Sequence, residues 1–238
     1  MKTKPLVLLI MLLFFLSGCA TVDFTKKGVH YQERASGIQS IAVLPVDFKI
    51  YQINASGVPE EMDEWSHNIK EMIQNNLKDS LNGRNLSIKF IDDQKLKSMG
   101  YDTWLSQKGL FEAIAASALN HAYPGGNGFE SKIKNFDYTM GPDIQQLSSF
   151  TGADALLFIY GFDSVRSTGR FWMEALQGAV LGVYYNYFSG LEMGLVDAHT
   201  GEVLWFKANN SGQERDYRNP KLIKSDIKWF IEDFLTKN

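Results

Sequence analysis

The residues able to do chemistry in this chain are few and scattered. Cys19 is the single cysteine among 238 residues, so no intrachain disulfide forms and one thiol is all the sequence offers as a soft nucleophile. The four histidines, His30, His67, His121 and His199, lie far apart. None belongs to a His-Glu-x-x-His pair, the spacing that sets two imidazoles around zinc on one helical face. A Gly-x-Ser-x-Gly elbow, which would expose a serine on a strand-to-helix turn, does not occur. The turn Pro124-Gly125-Gly126-Asn127-Gly128 lacks the Gly-Lys-Ser/Thr of a phosphate-binding loop and opens no clear helix. Asp143, Asp154, Asp163 and Asp197 fall near apolar runs, where sites of α/β proteins gather at strand ends. An aspartate in that place is more often a turn former or cap. These residues assign no catalytic group, no metal and no cofactor.

The surroundings of Cys19 say more than its thiol. Lys2 and Lys4 precede an uncharged apolar run over residues 6–16, which ends in Leu16-Ser17-Gly18-Cys19. A basic start, a short apolar stretch and small residues before a cut describe a signal peptide. At about eleven residues the run is too short to span a bilayer as a finished helix. The tetrapeptide resembles the lipobox of bacterial lipoproteins. That resemblance implies cleavage before Cys19 and acylation of its thiol and its new amine, with membrane lipid as the partner of the anchored cysteine. Each buried methylene contributes about 0.8 kcal/mol, and stable anchoring needs more than one chain. Lipoproteins kept on the inner membrane commonly carry Asp after the cysteine; Ala20 therefore implies the outer membrane, on its periplasmic side.

Removal of residues 1–18 takes Lys2 and Lys4 but no acid, and moves the net charge from −3 to −5. Such a mildly acidic chain has no basic patch for phosphate contacts, which argues against a nucleic-acid partner. Apolar residues at 45% and charged residues at 21% describe a globular chain rather than a disordered one. Three segments are expected: a signal peptide over 1–18, a polar tether over 19–37 rich in Asp23, Lys26, Lys27, Glu33 and Arg34, and a single α/β domain over 38–238.

Within that domain the apolar run 38–48 is too continuous for a one-sided strand and predicts burial on both faces, with Pro45 at a bulge or strand end. A helix is expected over 60–81, because Met62, Trp65, Ile69, Met72, Ile73, Leu77 and Leu81 recur at spacings of three and four. Residues 86–91 alternate as a strand with Lys89 outward. Residues 92–121 read as helix in two pieces broken near Gly100, with Asp102 capping the second. A short helix follows Gly141-Pro142-Asp143, using Ile144, Leu147 and Phe150 and stopping at Gly152. A buried strand over 153–162 comes next, the grammar of an α/β unit. Residues 191–197 and 202–207 form a hairpin around Ala198-His199-Thr200-Gly201, and a helix opened by Asn219-Pro220 aligns Ile223, Ile227, Phe230, Ile231 and Phe234.

The order of Ile41-Ala42-Val43-Leu44-Pro45-Val46, a helix, Thr151-Gly152-Ala153-Asp154-Ala155-Leu156-Leu157 and residues 195–205 resembles envelope lipoproteins related to the curli secretion lipoprotein and to the N-terminal domain of the Tol system's propeller protein. The resemblance spans about residues 38–236. It implies an anticodon-binding-domain-like α/β (α+β) fold, with a mixed sheet of about five strands flanked by helices and ending in a β-hairpin and a helix. It brings no catalytic residues, because those relatives assemble, export or regulate.

One stretch departs from that pattern. An apolar insertion at about 166–190 contains eighteen successive mostly apolar residues, 171–188, where a short loop would suffice. Phe171, Trp172, Leu176, Gly178, Val180, Leu181, Gly182, Val183, Tyr184 and Tyr185 are its candidates for interface or membrane contact. Gly178 and Gly182 stand four apart, as in close-packing membrane helices, and the aromatic density suits an interface or a membrane surface. Glu174, Gln177 and Asn186 oppose a spanning role, being costly in lipid. Core, interface or membrane element, and small-ligand pocket all remain open for the stretch. The expected function is a non-catalytic scaffold or accessory subunit of an envelope complex, with an envelope protein or a second copy as partner. The alternatives are a curli-type pore-forming export subunit and, third, a periplasmic enzyme.

Overall fold

The computed structural model describes residues 22–123, 128–182, 185 and 187–235. The two most apolar runs of the sequence lie side by side at its centre. β2 (Ser40–Val43) runs parallel to the start of β6 (Ala155–Arg166), with Ile41, Ala42 and Val43 opposite Ala155, Leu156 and Leu157. Side chains alternate across a strand, so Ile41, Val43, Leu157 and Ile159 enter one core and Ala42, Leu44, Leu156 and Phe158 the other. Both faces are buried, as the continuous apolar patterning predicts.

Pro45 ends β2, and the chain re-enters the sheet as β3 (Asp47–Ile53), which pairs in parallel with the later half of the same β6. β4 (Pro59–Glu61) folds back on β3. On the other side of β6 the hairpin of β7 (Ser189–Asp197) and β8 (Val203–Ser211) continues the sheet antiparallel. β5 (Ser87–Phe90) pairs in parallel with β2 at the far edge.

The helices cover both faces. α2 (Asp63–Leu81) and α7 (Pro220–Glu232) pack on one, burying Ile69, Ile73, Leu77 and Leu81 from the first and Ile223, Ile227, Phe230 and Ile231 from the second. α3 (Asp93–His121) and α5 (Ile144–Thr151) cover the other, around Trp104, Phe111, Ala115, Ala118 and Leu147. Gly152 stops α5 at φ 60°, the left-handed conformation that a residue without Cβ adopts freely. The result is an α/β fold with a mixed sheet flanked by helices, closed by a β-hairpin and a C-terminal helix.

Three expectations need correction. The described sheet has eight strands, not about five. Pro45 splits one apolar run in two, and neither β1 (Val22–Lys27) nor the exposed β4 carries a strong apolar pattern. Residues 22–35 are not tether: β1 pairs along β8 from Val22 opposite Asn210 to Lys27 opposite Trp205, and α1 (Tyr31–Ala35) follows. Phe24 packs edge-on to Phe206, Lys27 lies 4.7 Å over the buried Tyr31 ring, and Arg34 reaches Asp197 at 3.2 Å. Backbone pairing with β8 thus holds a segment whose composition is polar. Finally, α3 is one helix of 29 residues, capped by the Asp92 carboxylate on the Lys95 N–H. A helical glycine costs about 1 kcal/mol, which the packing of so long a helix outweighs. α4 (Glu130–Lys134) is a single turn before α5.

Candidate functional site

The insertion between β6 and β7 folds as α6 (Thr168–Leu181). The Ser167 hydroxyl caps it by accepting from the Arg170 N–H at 3.1 Å, and Gly182 ends it at φ 65°. Its two charged residues, Arg170 and Glu174, stand one turn apart on the side facing the protein. Arg170 Nε donates to Glu174 Oε1 at 2.6 Å, and both side chains are nearly covered, 11% and 10% exposed. Glu174 also accepts from the Tyr187 hydroxyl and lies 3.7 Å from Arg166, whose Nε donates to Glu214 at 2.8 Å. Gln177 accepts the Tyr185 hydroxyl at 2.6 Å, while the Arg170 guanidinium lies 4.2 Å over the Tyr185 ring.

Electrostatics tighten this base. Burial pushes the Tyr187 phenol up to about 12, with the Glu174 bond adding to the rise and Arg170 opposing it. The hydroxyl therefore stays protonated and donates. Burial on its own lowers the Arg170 guanidinium, but its hydrogen bonds to Tyr187 and Glu174 outweigh that and raise it.

The opposite face of α6 is apolar and open. Trp172 is 67% exposed, Leu176 61% and Val180 71%, with Met173 beside them; no residue of the helix is buried. A surface helix ordinarily turns its apolar stripe inward and its charges to water. Here the polarity is reversed, and the exposed face carries no charged residue.

Of the sequence candidates, Trp172, Leu176 and Val180 share this outer surface, Phe171 lies at its side with the Arg166 guanidinium 5.6 Å over its ring, and Leu181 is exposed as the last residue of the helix. Gly178 lies half-buried on the inner side, Gly182 is the helix stop, and Tyr185 stacks on Arg170 beneath the helix. Cys19, Val183 and Tyr184 lie outside the described residues. Arg166, Arg170, Glu174 and Tyr187 escaped sequence reasoning, although Arg170 and Glu174 at i, i+4 were its one available signal. A hollow of about 370 Å³ opens beside the helix base, between Tyr51, Ile53 and Pro59 on the β3–β4 hairpin and Arg170, Tyr185 and Phe188.

The four aspartates do not converge. Asp154 and Asp197 share one end of the sheet, where Ala155 faces Asp197, whereas Asp163 faces Ser189 at the other. Asp197 accepts from the His199 and Thr200 N–H groups at 2.9 and 2.8 Å, holding the β7–β8 turn. Asp154 accepts from the Gln39 and Ser40 N–H groups and the Ser40 hydroxyl. Burial pushes this carboxyl up, but those bonds win and hold it below the usual range. Asp163 is fully buried and accepts from the Tyr217 N–H at 2.8 Å. Among the described residues no group of three or more His, Cys, Asp or Glu could hold a metal ion.

No family model and no curated protein sequence matches the chain. Several solved structures are distantly similar. The PelC dodecamer from Paraburkholderia phytofirmans is 11% identical with a TM-score of 0.37, over 88% of this chain and 94% of that one. The lipoprotein GNA1162 from Neisseria meningitidis is 12% identical with a TM-score of 0.34, over 83% and 99%. The C-terminal domain of LpoB from Salmonella enterica is 13% identical with a TM-score of 0.29, over 77% and 96%.

Proposed function

We propose that this protein is a lipoprotein acylated at Cys19, held on the periplasmic side of the outer membrane, and that it acts without catalysis as a scaffold or accessory subunit of an envelope complex. The observation that carries the reading is the outward apolar face of α6, a surface that gains nothing for the isolated fold and is suited to contact outside it. The Leu16-Ser17-Gly18-Cys19 sequence supports the anchor. The polar groups under α6 support a built feature rather than a loose loop, since Glu174 gathers Arg170, Arg166 and Tyr187 at one point.

Metabolic labelling with palmitate, followed by membrane fractionation, tests the reading. Wild-type protein takes up label and sediments with the outer membrane, whereas Cys19→Ala gives unlabelled precursor. Normal labelling of Cys19→Ala, or an unlabelled wild type in the soluble periplasm, contradicts it.

A further inference from the structure

The strand register fixes where the N-terminal segment leaves the fold. Val22 stands opposite Asn210, Asn210 opposite Gly190, and Gly190 opposite Phe162, so these four residues form one row across β1, β8, β7 and β6. β1 runs antiparallel to β8 and away from this row. The chain before Val22 therefore emerges at the end of the sheet where β6 passes into α6 and where β7 begins. With strands about 4.8 Å apart, Val22 lies about 14 Å across the sheet from Phe162. Cys19 precedes Val22 by three residues, a reach of at most about 11 Å. Whatever holds Cys19 holds this end of the sheet close to it.

The same end presents α6 with its charges turned inward and Trp172, Leu176 and Val180 turned out. Its 14 residues span about 21 Å, short of the roughly 30 Å needed to cross a hydrocarbon core. No described helix is long and apolar enough to cross a membrane. A short helix with one apolar, aromatic-bearing face suits the boundary between headgroups and acyl chains. Glu174 and Gln177, which made lipid contact look costly, are taken up by Arg170, Tyr187 and Tyr185 on the protein side.

The geometry points to a two-point attachment: α6 lies along the same leaflet that receives the acyl chains of Cys19, with its Trp172–Leu176–Val180 face in that leaflet. This rests on the reading of Cys19 as the anchor. Lipid is favoured over a second copy as the occupant because the anchor makes the second contact intramolecular. A surface tied within a few nanometres of the bilayer meets it at high effective concentration.

The test uses full-length, acylated protein in vesicles of phosphatidylethanolamine and phosphatidylglycerol, some carrying nitroxide on their acyl chains. Acylation consumes the only native thiol, so Leu176→Cys takes one bimane label. His199→Cys, exposed at the opposite end of the sheet, is the control. The expected result is that label at 176 loses most of its emission to the lipid nitroxide and is shielded from aqueous iodide, while label at 199 behaves in the opposite way. Free access of iodide to 176 overturns the docking and leaves the anchor standing. Shielding of 176 from both quenchers also overturns it, because protein then covers the helix. Mass spectrometry of the N-terminal peptide before reconstitution reports the anchor separately; an unacylated Cys19 removes the reading on which the docking rests, and the docking with it.

Discussion

α6 and α7 are helices of 14 and 13 residues, each opened by a side-chain cap, Ser167 on Arg170 and Asn219 on Lys221, and each rich in apolar residues. They face opposite ways. α7 buries Ile223, Ile227, Phe230 and Ile231 against the sheet and leaves Lys221, Lys224 and Lys228 in water. α6 turns Arg170 and Glu174 toward the protein and leaves Trp172, Leu176 and Val180 in water. Apolar content does not decide which face a helix presents; the partners waiting beneath it do. Under α7 those partners include Leu191, Met193 and Trp205 of the same buried cluster, and the one buried charge of the helix, Asp226, is paired with Arg215 at 2.9 Å. Under α6 they are Arg166, Glu214, Tyr185 and Tyr187, which suit a polar stripe.

The contrast can be broken from the α7 side first. Phe230→Ala opens a cavity in a fully buried site and should lower stability by about 3–5 kcal/mol, read as a fall in the urea midpoint. A loss below about 1 kcal/mol would mean that α7 is not the structural helix of the pair.

A second test concerns the sheet between the two helices. Glu192 on β7 is buried, and burial pushes its carboxyl up to about 7; the Asn210 amide opposes the rise and the Glu112 charge adds to it. The native state thus keeps a proton that the unfolded chain releases above its ordinary value of 4.5. The contribution is complete below that value and is lost as pH rises toward 7. From the size of that shift, wild-type stability should fall relative to Glu192→Gln by up to about 3 kcal/mol between pH 4.5 and 8. Parallel pH profiles for the two proteins would show that Glu192 is ionised in the native state.

A smaller effect is expected beneath α6. Glu174→Ala leaves Arg170 and Tyr187 without their shared acceptor and should weaken the local structure by about 1–2 kcal/mol. Faster hydrogen exchange over 168–181, with little change in global midpoint, is the expected signature. Unchanged exchange there would mean that the charged base does not hold the helix.

Much of this was legible because burial on two faces leaves no room for polar residues. Ile41, Ala42, Val43 and Leu44, like Leu156, Leu157 and Phe158, announce central strands, and the spacing from Ile223 to Phe234 announces α7. β1 was not legible, because what holds it is the backbone of β8, and Thr25, Lys26 and Lys27 give no alternation to read. The stretch 171–188 was visible as unusual, but not the direction in which it points. That direction follows contacts far apart in sequence: Arg166, Tyr185 and Tyr187 meet Glu174 and Gln177, and Arg166 is itself held by Glu214, 48 residues away. Glu174 and Gln177 count against lipid contact when every side of a helix is treated as equal, and cease to count once the fold places them inward.

The most direct test of the central claim, that the apolar face of α6 belongs to an outside contact and not to the core, is the urea midpoint of Leu176→Ser/Val180→Ser/Leu181→Ser without membrane, beside that of wild type. Substitutions at exposed positions stay within about 0.5 kcal/mol each, so the account predicts a midpoint close to that of wild type. A fall as deep as that of Phe230→Ala would contradict it and return α6 to the core.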